Sequence, residues 1–305
     1  MSAAAWLWIP LTLWAAAAQT VRNAAQRHLT AELGTLGATL VRFLYGLPFA
    51  AIWLFAVKAT TGDAVPGLNP GFFLWVVLGA VSQILATALL LRTMQARNFA
   101  LGVAYSKTEV LQVAVFGFVF LNDVITPAAA MAVLAGTLGV LLLSPADKER
   151  PLRTLLTGWT SRTALLGLAC GALFALSAVG YRGAALALEG KFLVVAATTL
   201  LVAQALQTVL LGGWLLARDP AVVRRVLKAW RMSLFAGFMG AAASAGWFTA
   251  FAIEPVAHVR TLGLIELVFS YAISRRLFRE KLAPLEIAGM TLLAIGVVVI
   301  LLAAT

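Results

Sequence analysis

The sequence predicts an all-α integral membrane protein, with ten transmembrane helices forming two inverted five-helix repeats. Three observations predict it. Of 305 residues, 62% are hydrophobic and only 11% are charged, where a soluble domain carries about 25% charged. The apolar residues run continuously in long stretches instead of alternating with polar ones. Two of those stretches, 157 residues apart, hold a glutamate at matching depth (Glu109 and Glu266).

Ten apolar stretches follow one another, approximately 4–27, 33–58, 71–93, 98–121, 124–143, 163–188, 192–217, 231–253, 256–278 and 283–303. A hydrocarbon core of about 30 Å takes about 20 helical residues to cross. In lipid every backbone N–H and C=O must be paired internally, which leaves helices or a closed barrel. Barrel strands would alternate apolar and polar side chains, and these segments do not. The opening MSAAAWLWIPLTLWAAAAQ has no basic n-region, so it reads as a first span rather than a cleaved signal. Arg218 to Arg231 reads as a short basic helix in the headgroup region, or equally as a charged loop. Ser144 to Arg162 is the polar centre, dividing a first repeat (1–145) and a connecting loop (146–162) from a second repeat (163–305).

Orientation follows from the cations. Loops one, three, five, seven and nine carry sixteen Lys and Arg, among them Arg92, Arg97, Lys148, Arg224, Arg275 and Lys281. The opposite side carries only Lys58 and Lys191. By the positive-inside rule the odd loops are cytoplasmic and both termini face out. The net charge of +11 therefore belongs to loop anchoring, and nucleic acid is not an expected partner. The expected location is the cell (inner) membrane, multi-pass.

A single cysteine, Cys170, excludes an intrachain disulfide and a cysteine-based metal site. No nucleotide-binding glycine loop, HExxH or His–carboxylate cluster occurs. No cofactor is expected, and enzyme chemistry is not.

Shifting the chain by 157 residues lays Glu109 on Glu266, Asp123 on Glu280, Pro127 on Pro284 and Gly139 on Gly296; a gapped shift sets Arg22 near Arg182. Five spans per half is an odd number, so the halves must be inverted, an architecture recurrent in transporters.

Several segments are then similar to a known family. They are Arg42-Phe43 in the second span, ALLLRTMQARNFALGVA between spans three and four, FLND before Pro127, and LIELVFSYAISRRLFREKLAPLEIAGMTLLAIGVVVI at the end. The chain resembles the EamA family of the drug/metabolite transporter superfamily. Two departures stand out. The family often has Pro where Val110 and Leu267 follow the glutamates, and Gly where Asn122 and Arg279 stand. The resemblance implies export of a small metabolite, and a structural or gating role for Arg42.

Glu266 and Glu109 are the first site candidates. A charge at mid-bilayer costs on the order of 3 kcal/mol on insertion scales, so such a group faces a partner or a wet cavity. Burial disfavours the charged form of a carboxyl, which lets it load and release protons, or bind a substrate ammonium. The competing reading is a structural pair with Lys107 or Arg260. Lys107 and Glu109 are two residues apart, which on a helix points them to different faces, and Arg260 lies nearly two turns before Glu266. A cross-helix pair of Lys107 with Glu266 stays open, and Arg260 is a candidate for a substrate carboxylate. Arg22, with Asn23 and Gln26, forms a polar stripe on span one, echoed by Arg182 on span six. Both arginines are expected to snorkel to the headgroups. Tyr105 and Trp247 are candidate cavity aromatics.

The expected function is a secondary transporter, with alternating access through a central cavity and protons as a candidate coupling ion. Intramembrane cations outnumber the two mid-span carboxylates, which favours a carboxylate-bearing substrate such as an amino acid. Alternatives are export of cationic drugs or amines, and a polytopic membrane enzyme acting on lipid-linked substrates. The partners expected are a small-molecule substrate and the bilayer, with the chain a monomer or homodimer.

Overall fold

The structure, a computed structural model, describes residues 6–96, 109–122 and 162–277, with single positions at 103, 106, 107, 127, 130, 131, 134, 279, 284, 288, 291, 292 and 295. The expected fifth and tenth spans and the polar joint lie almost wholly outside them. Most of the described residues are helical, with no strand among them. In order they form α1 (Trp8–Leu44), α2 (Leu47–Thr61), α3 (Pro70–Ala96), α4 (Glu109–Leu121), α5 (Arg162–Leu186) and α6 (Phe192–Arg218). There follow α7 (Pro220–Lys228), α8 (Trp230–Ile253), α9 (Val256–Leu262), a 3-10 turn at Gly263–Ile265, and α10 (Glu266–Leu277). Six runs among the described residues are long and apolar enough to cross a membrane. The chain is a helical membrane protein.

The first of these runs spans 54 residues, Trp8–Thr61. Straight, it would extend about 80 Å, far beyond a bilayer. Gly34 breaks it with φ 70° and ψ 174°. Gln26 donates to the carbonyl of Ala38 at 2.7 Å, although a helix would separate those residues by about 18 Å. The chain therefore doubles back at Gly34, and the run supplies two spans. The expected loop at 28–32 is corrected by this: helix continues through Leu33, because Leu29 and Leu33 are buried and only the polar residues between them look like a loop.

Contacts divide the chain into two compact units, residues 1–84 with 176–254 and residues 85–175 with 255–305. Each draws on both halves of the sequence.

In the first unit α1 packs along α8 wherever one side offers no side chain. A Cβ on Gly246 would lie 2.9 Å from that of Ala15, and one on Gly237 would lie 2.5 Å from the Tyr45 carbonyl carbon. A buried polar knot ties α3, α5 and α6 together. The Tyr181 hydroxyl donates to Gln83 Oε1 at 2.9 Å, and Gln207 Nε2 donates to the same oxygen at 2.7 Å. Buried polar groups need such partners. The short basic helix is present as α7. Asp219 caps it by accepting from Val222 N at 3.4 Å, and Pro220 starts it. Val222 and Val226 are buried, the former's Cγ1 facing Gly37, while Arg224, Arg225 and Lys228 are exposed.

In the second unit α9 packs on α4. Cys170 is buried there with Sγ 3.3 Å from the Ala86 carbonyl oxygen, the packing role expected of it.

Candidate functional site

The candidate site lies within the second unit, where α4 and α10 begin. Lys107 sits in a turn, and α4 begins two residues later at Glu109. Val110 N donates to the Lys107 carbonyl at 3.2 Å, a three-residue closure in place of an α-helical one. Within the apolar run Val256–Leu277 the α-helix stops at Leu262, tightens through Gly263–Ile265, and restarts at Glu266. Each glutamate thus stands in the first turn of a helix, where the dipole favours negative charge.

Lys107 joins them. Its Nζ lies 2.5 Å from Glu266 Oε2 and 3.4 Å from Glu109 Oε1. Arg260 Nη1 approaches Glu109 Oε1 at 3.6 Å, an ion pair too long for a hydrogen bond. The order is Arg260, Glu109, Lys107, Glu266, and all four are buried, Glu266 completely. Among the described residues two cationic side chains face two carboxyls.

One expectation is corrected here. Lys107 and Glu109 do meet despite their spacing, because Lys107 sits in a turn. Arg260 pairs with Glu109 on another helix, the structural pairing that competes with a substrate role for it. The cross-helix pair of Lys107 with Glu266 is formed.

Two further polar groups escaped the sequence reading. Gln112 lies three residues after Glu109, and Ser270 four after Glu266. Their Oε1 and Oγ are buried with no hydrogen-bond partner among the described residues. The i+3 and i+4 spacing from each glutamate was the available signal.

The other candidates belong to the first unit, except Tyr105, which lies outside the described residues. Arg22 does not snorkel; it is 1% exposed, and its Nη2 donates to Asn23 Oδ1 at 2.7 Å. Arg42 is 2% exposed, with its guanidinium 5.5 Å from the Phe43 ring centre. Both arginines converge on Gly240, where an added Cβ would lie 3.3 Å from Arg22 Cδ and 3.4 Å from Arg42 Cγ. Arg182 does not reach for headgroups either. Its Nη1 donates to the carbonyls of Phe251 and Glu254, both at 2.8 Å, and so closes the C-terminus of α8, whose last carbonyls lack helical partners. The Trp247 indole donates to Gln19 Oε1 at 3.0 Å and stacks on Phe251, which makes it a link between α1 and α8.

Among the described residues no group of His, Cys, Asp and Glu could hold a metal ion. No protein-family model and no curated protein matches the chain. A solved structure described only as a crystal structure of a protein superposes with a TM-score of 0.64. It covers 99% of this chain and 97% of its own at 16% identity, and the likeness is one of fold.

Proposed function

We propose that this chain is an EamA-type secondary transporter of the inner cell membrane. Its ten helices form two inverted repeats that export a small carboxylate-bearing metabolite, such as an amino acid, by alternating access. One observation carries the reading. Glu109 and Glu266, equivalent under the 157-residue shift, each open a helix at a mid-span break and share the ammonium of Lys107. Interrupted helices near the midplane are where transporters of inverted-repeat design hold substrate and ions.

The backbone supports the repeat independently. Asn122 and Arg279, also 157 apart (279 − 122), both have φ 55°. Those are the positions where the resembled family often has Gly, the residue best suited to that conformation. The compact units sort the equivalents as well: Arg22 and Arg182 fall in one, Glu109 and Glu266 in the other.

Coupling then follows from the charge order. Protonating Glu266 removes the charge that holds Lys107, leaving the ammonium to Glu109 alone, and deprotonation restores the bridge. Burial makes each of these states costly unless compensated, so a proton or a substrate charge shifts the balance between them. Arg22 and Arg42 supply guanidiniums suited to a carboxylate. A thermal-shift panel of neutral amino acids, quaternary amines and organic anions identifies the ligand. Its uptake into proteoliposomes, with and without a pH gradient, then tests coupling. Gradient-driven uptake that survives both Glu109→Gln and Glu266→Gln unchanged would overturn the proton role.

A further inference from the structure

The first unit carries an apolar groove that no residue of the Lys107 cluster lines. Its volume is about 470 Å³, within the roughly 300–1,000 Å³ of ligand pockets. Its floor is small, with Ala241, Ala245 and Gly246 on α8, while Trp14, Ile52 and Phe238 on the rim are 54%, 61% and 46% exposed. These helices are long and apolar enough to cross a membrane, so the rim faces acyl chains. The hydroxyl of Thr249 on the wall donates to Ala245 of its own helix at 2.7 Å, and apolar matter fits the rest.

Its dimensions specify more. The wall on α8 runs from Phe238 to Thr249, eleven residues or about 16 Å along the axis. That is half of a hydrocarbon core of about 30 Å, the depth of one leaflet, with the long axis parallel to lipid tails. One end is fixed by helix termini. Leu7 precedes α1, Ala56 is near the end of α2, Phe192 begins α6, and Thr249 is near the end of α8. All four lie away from the Gly34 turn. At this end Lys191, next to Phe192, bridges Asp63 at 2.9 Å, while Lys58, two residues past Ala56, is on the opposite face of α2.

We propose that this groove is a phospholipid site, taking one acyl chain of a lipid from the leaflet at the Leu7 end. The apolar walls select a chain, and the one-leaflet depth selects a lipid already standing in the bilayer.

Trp14 and Trp53 on the walls make the site readable. Purified full-length protein in mixed micelles is titrated with phosphatidylglycerol or phosphatidylcholine carrying dibrominated chains, and tryptophan fluorescence is recorded. The expected result is quenching by either brominated lipid that saturates at low mole fraction, with the saturable amplitude falling in Trp14→Phe. Ala245→Phe, or Ala242→Phe should the first fail to fold, raises the half-saturation at least fivefold. Quenching that rises linearly with bromolipid, or that both filled-groove variants leave intact, overturns the site. Lys58→Gln, on the opposite face of α2, leaves the half-saturation unchanged.

Discussion

Lys107 Nζ lies 2.5 Å from Glu266 Oε2, a contact across 159 residues of sequence that holds an ammonium between two carboxylates inside the bilayer. Removing one member leaves buried charge uncompensated, while removing both does not. Lys107→Met is expected to destabilise the protein by about 3–5 kcal/mol. The double variant Lys107→Met/Glu266→Gln should recover more than about 1 kcal/mol of that, as residues in direct contact do. Thermal unfolding in detergent across the four-member cycle reads the coupling, and additive effects would mean that the pair is not energetically linked.

Arg279 and Asn122 both hold φ at 55°, but the strain differs. Left-handed backbone costs a side chain roughly 1–2 kcal/mol, and Asn tolerates it better than Arg. Arg279→Gly should raise stability by about 1 kcal/mol, and Asn122→Gly by a few tenths at most, since Asn already suits this conformation. Equal shifts in unfolding temperature would contradict the backbone account.

The contact between α1 and α8 has no slack at Gly237. An added methyl would meet the Tyr45 backbone at 2.5 Å, and backbone cannot rotate away. Gly237→Ala is therefore expected to cost at least about 1–3 kcal/mol, the usual range for overpacking. Gly213→Ala, where nothing lies within 4 Å, should be neutral or stabilising because Ala favours helix by about 1 kcal/mol. Comparing the two variants by unfolding temperature separates packing from helix propensity.

Outside the spans, Asp63 is held below its usual pKa, first by the hydrogen bond from Lys191 and further by its charge. A depressed carboxyl pKa contributes stability above the unfolded value, and that contribution is lost as pH falls through the folded one. Lys191→Ala should return Asp63 to an ordinary carboxylate titration, followed by carboxyl-carbon NMR. Added salt should shrink the difference, since the pair is at the surface.

Arg182 offers a test of the α8 terminus. Arg182→Ala leaves the carbonyls of Phe251 and Glu254 without this donor, at about 1–3 kcal/mol for groups left unsatisfied. Hydrogen exchange at the end of α8 should rise in that variant before exchange elsewhere does.

The spans were legible because continuous apolarity at bilayer length has few other meanings. Phe192–Arg218 and Trp230–Ile253 fall within a residue or so of where hydropathy put them. The first turn was not legible. Arg27, His28 and Glu32 read as a loop, yet the helix persists to Leu33 and only the left-handed Gly34 ends it. Within the site, Glu109 and Glu266 were visible as charges in apolar stretches. The approach of Lys107 to Glu109 was not, because helical spacing was assumed where the chain makes a turn. Snorkelling of Arg22 and Arg182 failed for a related reason: Asn23, Gly240 and the open end of α8 gave these side chains partners or room inside.

The meeting of Lys107 with two carboxyls has an electrical consequence for the proposed transport. A proton or an ionised solute that joined the cluster would change its charge by a whole unit, and the transmembrane voltage acts on such a unit with about 2.3 kcal/mol per 100 mV. A current that follows the proposed solute across proteoliposomes would then report which charges travel with it.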